Sequence, residues 1–427
     1  MIKKIIVILT LFISVASFAQ KNNASAYSFF GIGDKNTSNT VEQISMGGIG
    51  VSLTDQFRLN LSNPASLSGL KFTTYALAIE NKNIWAKDNQ GKEQGAATYL
   101  SYLAMGIPLG ENAGMTFGLL PNTSVGYSLV ANSFNASNEL TEISAYNGEG
   151  GTNKVFLGVG FQIFKGFSVG LQGNYIFGKI ENNITNQLKD VALATKYETF
   201  SRIKGFAINS GFQYKTKLTE NVNLHLGANF DLESEVDTED EEYIYSLSIA
   251  SGEIPRDTLL TNKGNGILKS PLKTSLGIGF GKENKWFAGI DYSFQDALQL
   301  QGNIYNNFTK IAYDSYSKIS IGGFYTPKFT SITSYWERVT YRAGLKMEKT
   351  GLMVNSSGTG NDFTAIDDFG ISFGVGLPVS NQLSNLNIGF ELGKRGKINN
   401  GLIQENYINF RLSFSLNDKW FKKREIL

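Results

Sequence analysis

The sequence predicts an all-β fold: a transmembrane antiparallel β-barrel of about 14 strands, with an N-terminal plug, or hatch, inside the lumen. Four observations predict it. Apolar and polar residues alternate with period two through most of the chain, and no stretch after residue 20 keeps a 3.6-residue apolar period. The alternating stretches run to about 10–15 residues, where strands of soluble proteins average about 5–6. Their polar faces are rich in Gly, Ser, Asn and Gln, which suits a wet lumen. Finally, short turns and longer polar excursions succeed one another strictly, the layout of a bacterial outer-membrane barrel.

The first residues, MIKKIIVILTLFISVASFAQ, have the order of a secretory signal. Lys3 and Lys4 give the charged start, Ile5 to Ala16 the apolar core, and Ser17-Phe18-Ala19 the small residues that place cleavage before Gln20. The signal peptide is thus residues 1–19. The apolar run falls short of the roughly 18–20 residues of a spanning helix, and no later run reaches that length, which excludes a helical inner-membrane protein. No Cys follows the cleavage site to carry a lipid anchor. With 46 Gly, 7 Pro, no Cys and 12% aromatics, the composition fits an envelope protein held together without disulfides. A formal net charge of +2 gives no nucleic-acid signal.

The barrel is expected over residues 70–427. In NYINFRLSFSL, Ile408, Phe410, Leu412, Phe414 and Leu416 fall on one side and Asn409, Arg411, Ser413 and Ser415 on the other. The same alternation runs through Leu386 to Gly393, Ser275 to Phe280 and Asn223 to Asp231. Short turns fall at 108–114, 164–168, 214–223, 281–286, 326–336 and 377–386. Longer loops are expected near 84–94, 131–151, 181–197, 233–269, 298–311, 350–364 and 395–404. Counting from Lys71 to Leu416 gives about fourteen strands, an even number, with both ends on the short-turn side. Trp286, Trp336 and Trp420 gather on that side too, joined by Phe164, Phe167 and Tyr325, as an aromatic girdle at the periplasmic interface would.

Fourteen strands enclose a lumen wider than their own side chains fill, since about eight suffice for that and about sixteen leave a channel. Residues 20–69 precede the first strand, are Gly-rich (FFGIGD, SMGGIGVSL) and are too apolar for a disordered tail. They are the expected plug.

The pattern ISMGGIGVSLTD followed by LNLSNPASLSGL resembles the hatch of the FadL/TodX family of outer-membrane transporters for hydrophobic compounds. There an Asn-Pro-Ala motif closes the hatch just before the first of fourteen strands, and the matching residues are Asn63, Pro64 and Ala65. The resemblance implies passive uptake of apolar molecules such as long-chain fatty acids. It also implies a hatch movement and a lateral opening at a kinked third strand. That strand, GMTFGLLPNTSVGYSLV, carries Pro121, which cannot donate to a ladder, between Gly118 and Gly126. The ending LNDKWFKKREIL resembles that of FadL-like barrels of Bacteroidetes; it departs from the terminal aromatic with which barrels commonly end, for which Trp420-Phe421 would substitute.

Chemistry-bearing residues are few. His225 is the single histidine, on the lumen register, with no neighbouring nucleophile motif, so no enzyme activity, metal or cofactor is expected. The run DLESEVDTEDEE, residues 231–242, is expected in a solvated outer loop, the alternative being cation bridging to lipopolysaccharide. Leu100, Tyr102, Phe156 and Ile176 are apolar at lumen-register positions. They either pack the plug or form a greasy pocket, with Lys204, Lys273, Arg342 or Arg411 meeting a ligand carboxylate. The expected partners are therefore a hydrophobic small molecule and outer-membrane lipid. Some FadL-like barrels of Bacteroidetes, the PorV relatives, instead serve type IX secretion, and a protein-interaction role in secretion is the alternative function.

Overall fold

The computed structural model describes residues 23–89, 91–249, 254–302, 311–355, 362–379 and 384–419. The expected signal peptide and the closing segment with Trp420 lie outside the described residues. Fourteen wall strands follow one another in chain order. They are β1 (Thr73–Lys87), β2 (Lys92–Pro108), β3 (Ala113–Phe134), β4 (Leu140–Phe164), β5 (Phe167–Leu188) and β6 (Ala194–Thr219). Four more are each built of two segments: β7 (Val222–Asp231 and Ser234–Ser248), β8 (Ile254–Ser270 and Lys273–Lys282), β9 (Trp286–Gln295 and Gln299–Gly302) and β10 (Ile311–Tyr313 and Tyr316–Tyr325). The last are β11 (Thr340–Val354), β12 (Thr364–Val379), β13 (Ser384–Arg395) and β14 (Gln404–Asp418).

Every neighbour pair is antiparallel, and β14 closes the barrel on β1, from Gln404 opposite Lys87 to Asp418 opposite Thr73. Alternation then decides what each side chain meets. On β14, Tyr407, Asn409, Arg411, Ser413 and Ser415 are buried inside, while Phe410 and Leu416 are exposed outside. Around the exterior, Leu103, Phe117, Leu157, Phe206, Phe280 and Phe373 are likewise exposed. So much apolar surface is untenable in water, and a closed ladder satisfies its own backbone groups in hydrocarbon. This is a transmembrane β-barrel. Trp286 opens β9 and Trp336 precedes β11, both on the short-turn side as the sequence leads one to expect.

Of the long loops expected from the sequence, those at 84–94, 131–151, 181–197 and 233–269 are mostly strand in their described residues. Strands β3 to β6 run 22, 25, 22 and 26 residues, and residues 135–139 and 189–193 suffice to connect them. At about 3.3 Å per residue such strands overshoot an apolar band about 25 Å tall and rise beyond it as a standing sheet. There neither face has to be apolar, so the sequence turns polar while the ladder continues. The acidic run is corrected on the same ground. Its residues from Ser234 onward lie on the second segment of β7, paired with β6 and β8. Its outward carboxylates pair with lysines of those strands, Lys204 with Glu239 and Lys263 with Glu241.

Residues 23–70 lie against the inward face of this wall. A 3-10 turn (Ala26–Phe29) comes first, then two residues of strand (Asp34–Lys35). The helical turn α1 (Val41–Ile44) begins in a capping box between Thr40 and Gln43. A second 3-10 turn (Pro64–Gly69) leads into β1. Val41, Leu59, Leu61, Leu67 and Leu70 of this segment pack with Tyr102, Leu120 and Phe156 of the wall.

Candidate functional site

Among the described residues, one junction of the wall has a shorter ladder than any other. Strands β2 and β3 pair only from Pro108–Gly114 to Leu103–Leu119, and above that level they part. The cause is local. In β2, Ser101 is an extra residue against β1, where Ala78 faces Tyr102 and Ile79 faces Leu100. In β3, Asn122 is extra against β4, where Pro121 faces Asn153 and Thr123 faces Thr152. A bulge bends its strand and tightens the twist. Here two adjacent strands bulge just above their last shared pair, beside a proline that cannot donate to the ladder. Gly151, opposite Ser124, takes a φ of 138° that a side chain would resist.

Unpaired backbone at membrane depth is tolerated only where protein or a cavity covers it, and residues 23–36 provide the cover. Asp34 and Lys35 pair with Ser124 and Thr123 on the free edge of β3, and the Asn36 amide donates to the Asn122 carbonyl at 2.9 Å. On the β2 side, Ala24 lies so close to Gly95 that a β-carbon there would be 2.9 Å from its own. The Asn23 side chain donates to the Ser124 carbonyl at 3.1 Å and to Asp34 at 3.0 Å. Asp34 also pairs with Arg395 of β13 at 2.8 Å and Lys82 of β1 at 3.7 Å. Burial alone would raise the Asp34 carboxyl. The charges of Arg395 and Lys82 and the Asn23 hydrogen bond outweigh it and hold the group below the usual carboxylate range. Ser25 donates to both oxygens of the buried Glu405 at 2.8 Å, and the Ala26 amide donates to the same carboxylate at 2.7 Å.

The Asn-Pro-Ala motif sits at the other end of the segment, under strands β4 to β7. The Asn63 amide donates to the carbonyls of Val51 (2.8 Å), Phe212 (3.1 Å) and Ala228 (3.2 Å), and its oxygen caps the following turn by accepting from Ala65 (3.0 Å). Pro64 fits the first position of that turn, where no amide is needed. It rests on Gly160 and Gly170, where any side chain would overlap its backbone, and Ala65 is fully buried.

The kink residues fall along β3. Gly118 lies in the paired half, Pro121 just past its end, and Gly126 against the Asn23 backbone. The strand itself continues through Pro121 to Phe134. Of the apolar candidates, Tyr102 and Phe156 are buried against the inner segment, and the Tyr102 hydroxyl accepts from the Val41 amide at 3.2 Å. Ile176 packs with Ile32, Val125 and Ile203 higher in the lumen. Leu100 corrects the reading: it faces outward, 40% exposed, because the Ser101 bulge flips the alternation between it and Tyr102.

The cations divide. Arg411 is engaged by Glu80 at 2.7 Å and Glu391 at 2.6 Å, so it is a wall tie. Arg342, 5% exposed, donates one nitrogen to Asn387 at 3.2 Å, leaves Nη2 without a protein partner and borders a small cavity with Glu42, Met46 and Arg58. Lys204 points outward, in register with Phe206 and Ile208, and pairs with Glu239. Lys273 points inward, 5.0 Å over the ring of Tyr316. Sequence reasoning missed Asp34, Arg395 and Glu405, whose partners lie 361 or 380 positions away in the chain. His225 is buried edge-on to Phe287, ring centres 5.4 Å apart.

Comparison by sequence with curated proteins gives no match. Solved structures share the fold at low identity. The Pseudomonas putida toluene transporter TodX superposes with a TM-score of 0.59 at 15% identity over 90% of this chain and 99% of its own. A FadL homologue of Pseudomonas aeruginosa gives 0.59 at 12% identity, over 90% and 98%. The Ralstonia pickettii toluene transporter TbuX gives 0.59 at 12% identity, over 90% and 100%. The model of the BamG family matches residues 1–426, and the chain belongs to that family.

Proposed function

We propose that the protein is an outer-membrane channel for passive uptake of hydrophobic compounds, long-chain fatty acids among them, gated by its inner segment as a hatch. The observation that carries the reading is the parted β2–β3 junction backed by residues 23–36. A sealed barrel needs no such place. A lateral route for an apolar molecule does, because transfer from hydrocarbon to a lumen wall avoids exposing apolar area to water, about 25 cal/mol per Å². The fold likeness to toluene transporters adds support.

In this reading a ligand binds at the outer side, the hatch shifts, and the ligand passes between lumen and seam without covalent chemistry. Tyr102 and Phe156 serve as packing beneath the hatch. A carboxylate headgroup would meet inward cations not spent on carboxylates. Lys273 and Arg342 fit that description better than Arg411.

Native mass spectrometry with lipid extraction, on protein purified from its own membrane, tests the reading. A bound apolar molecule, lost when Asn63 and Pro64 are both replaced by Ala, is the expected result. An empty barrel carrying stoichiometric envelope or secreted proteins would overturn it.

A further inference from the structure

We propose that the lumen holds a seat for a phosphate-bearing amphiphile: a phosphomonoester head among Lys35, Lys154, Lys273 and Lys318, with its apolar tail rising along the wall above them. The proposal goes beyond the uptake reading and does not rest on it, because a lumen can hold such a ligand whether or not the ligand crosses the membrane.

Four lysines converge from distant parts of the chain. Asp34 turns toward Arg395, so Lys35, the next residue of the same short strand, faces the other way, into the lumen, and is exposed there. It meets the charges of Lys273, Asp231 and Glu348, and Lys154 meets those of Asp231 and Lys273. Lys318 meets those of Glu348, Lys346, Lys273 and Glu391. The inner segment forms the floor. The Lys154 ammonium donates to Ser38 at 2.7 Å, and a β-carbon on Gly48 would lie 3.0 Å from Lys318 Nζ. The wall between them is polar. From β7 to β10 one inward row reads Asp231, Lys273, Gln295 and Tyr316. The row below reads Asn229, Ser275, Ser293 and Lys318, and continues to Glu348 of β11.

The charge of this seat is not balanced from within. Among the described residues none of the four lysines pairs with a carboxylate; Lys273 lies over the Tyr316 ring and Lys154 on the Ser38 hydroxyl. The two acids in reach are engaged by neutral donors. Asp231 accepts from Asn229 at 2.8 Å and from Asn209, and Glu348 accepts from the Tyr316 hydroxyl. Lys346, the neighbouring cation, is taken by Asp368 and Glu391 at 3.2 and 2.8 Å. Four ammonium groups against two carboxylates leave two positive charges. Lys318 carries its charge at 9% exposure, where an unpaired cation is costly. A carboxylate would offset one of those charges. A phosphomonoester carries about −1.5 to −2 at neutral pH on three acceptor oxygens, and so matches both the charge and the spread of donors. The lining above sets the rest of the ligand. Up β7 and β8 from Asp231 and Lys273, Val236 and Leu268 pack with Ile32, Ile176 and Ile203, and Leu298 and Leu300 lie half-buried at the edge of that cluster. Such a surface suits an alkyl chain.

Isothermal titration calorimetry on the full-length protein in a neutral detergent, at about pH 7.5 where the phosphomonoester is mostly dianionic, tests the seat. Dodecyl phosphate should bind on the order of tenfold more tightly than either dodecanoate or inorganic phosphate. Lys273→Gln and Lys318→Gln should each weaken dodecyl phosphate by about tenfold, whereas Lys204→Gln, on the outer face, should leave it unchanged. Both lumen variants should keep the folded barrel's compact mobility on gels, since each removes a charge that no carboxylate partners. Dodecanoate binding as tightly as dodecyl phosphate would overturn the phosphate seat and leave the uptake reading standing. Inorganic phosphate binding as tightly would overturn the amphiphile and assign the seat to the free ion. Equal weakening in all three variants would reduce the effect to attraction by the protein's overall charge, and would overturn the proposal.

Discussion

Strand β14 closes the barrel on β1, and two junctions further on β2 meets β3; the two junctions could hardly differ more. Between β14 and β1, fifteen residue pairs run unbroken from Gln404–Lys87 to Asp418–Thr73. Between β2 and β3 the ladder stops after six. Both involve alternating strands of ordinary composition, so strand propensity does not separate them. What separates them is one extra residue in each of β2 and β3, at the same level, and an inner segment shaped to cover the gap they leave. The closed junction is tied by charge as well as by backbone, through Arg411 between Glu80 of β1 and Glu391 of β13. The parted junction, above its six pairs, is bridged by residues 23–36.

Breaking the closed junction should have the largest effect. Arg411→Met leaves Glu80 and Glu391 buried without their counter-charge, a loss of about 3–5 kcal/mol. It should lower the temperature at which the folded barrel loses its compact mobility on gels. Asn63→Ala acts behind the wall. It removes the side-chain donor that joins the carbonyls of Val51, Phe212 and Ala228, at a cost of about 1–3 kcal/mol. The folded barrel should remain, with faster proteolysis of residues 40–70. Pro121→Ala should change least, under about 1 kcal/mol. The bulges at Ser101 and Asn122 persist without it, so the seam stays parted and fatty-acid uptake unchanged. A variant that instead lengthens the β2–β3 ladder, seen as extra amide protection on β2, would assign the gap to the proline alone.

How much of this the sequence disclosed follows from the same contrast. Where strands cross hydrocarbon without interruption, as in β13 and β14, period two named the inward residues outright, Arg411 included. The Asn-Pro-Ala turn was visible too, because proline at the first position and asparagine as cap are local signals. A bulge hides in a sequence: Ser101 carries no mark of being the extra residue, and counting through it placed Leu100 on the wrong face. Above the apolar band both faces are polar, so period two separates neither standing strand from loop nor the outward Lys204 from a lumen cation. The ties of residues 23–36 were illegible for another reason. Asp34, Arg395 and Glu405 meet only when the barrel closes and brings the chain ends together, and no local pattern records that.

The central claim is that this barrel passes apolar molecules while its inner segment keeps polar ones out. The most direct measurement compares influx of a fluorescent fatty acid and of a small sugar into vesicles holding the purified protein, against empty vesicles. The account predicts faster fatty-acid influx with sugar influx at the empty-vesicle rate. Fatty-acid influx no faster than in empty vesicles, or sugar entering as readily as the fatty acid, would contradict it.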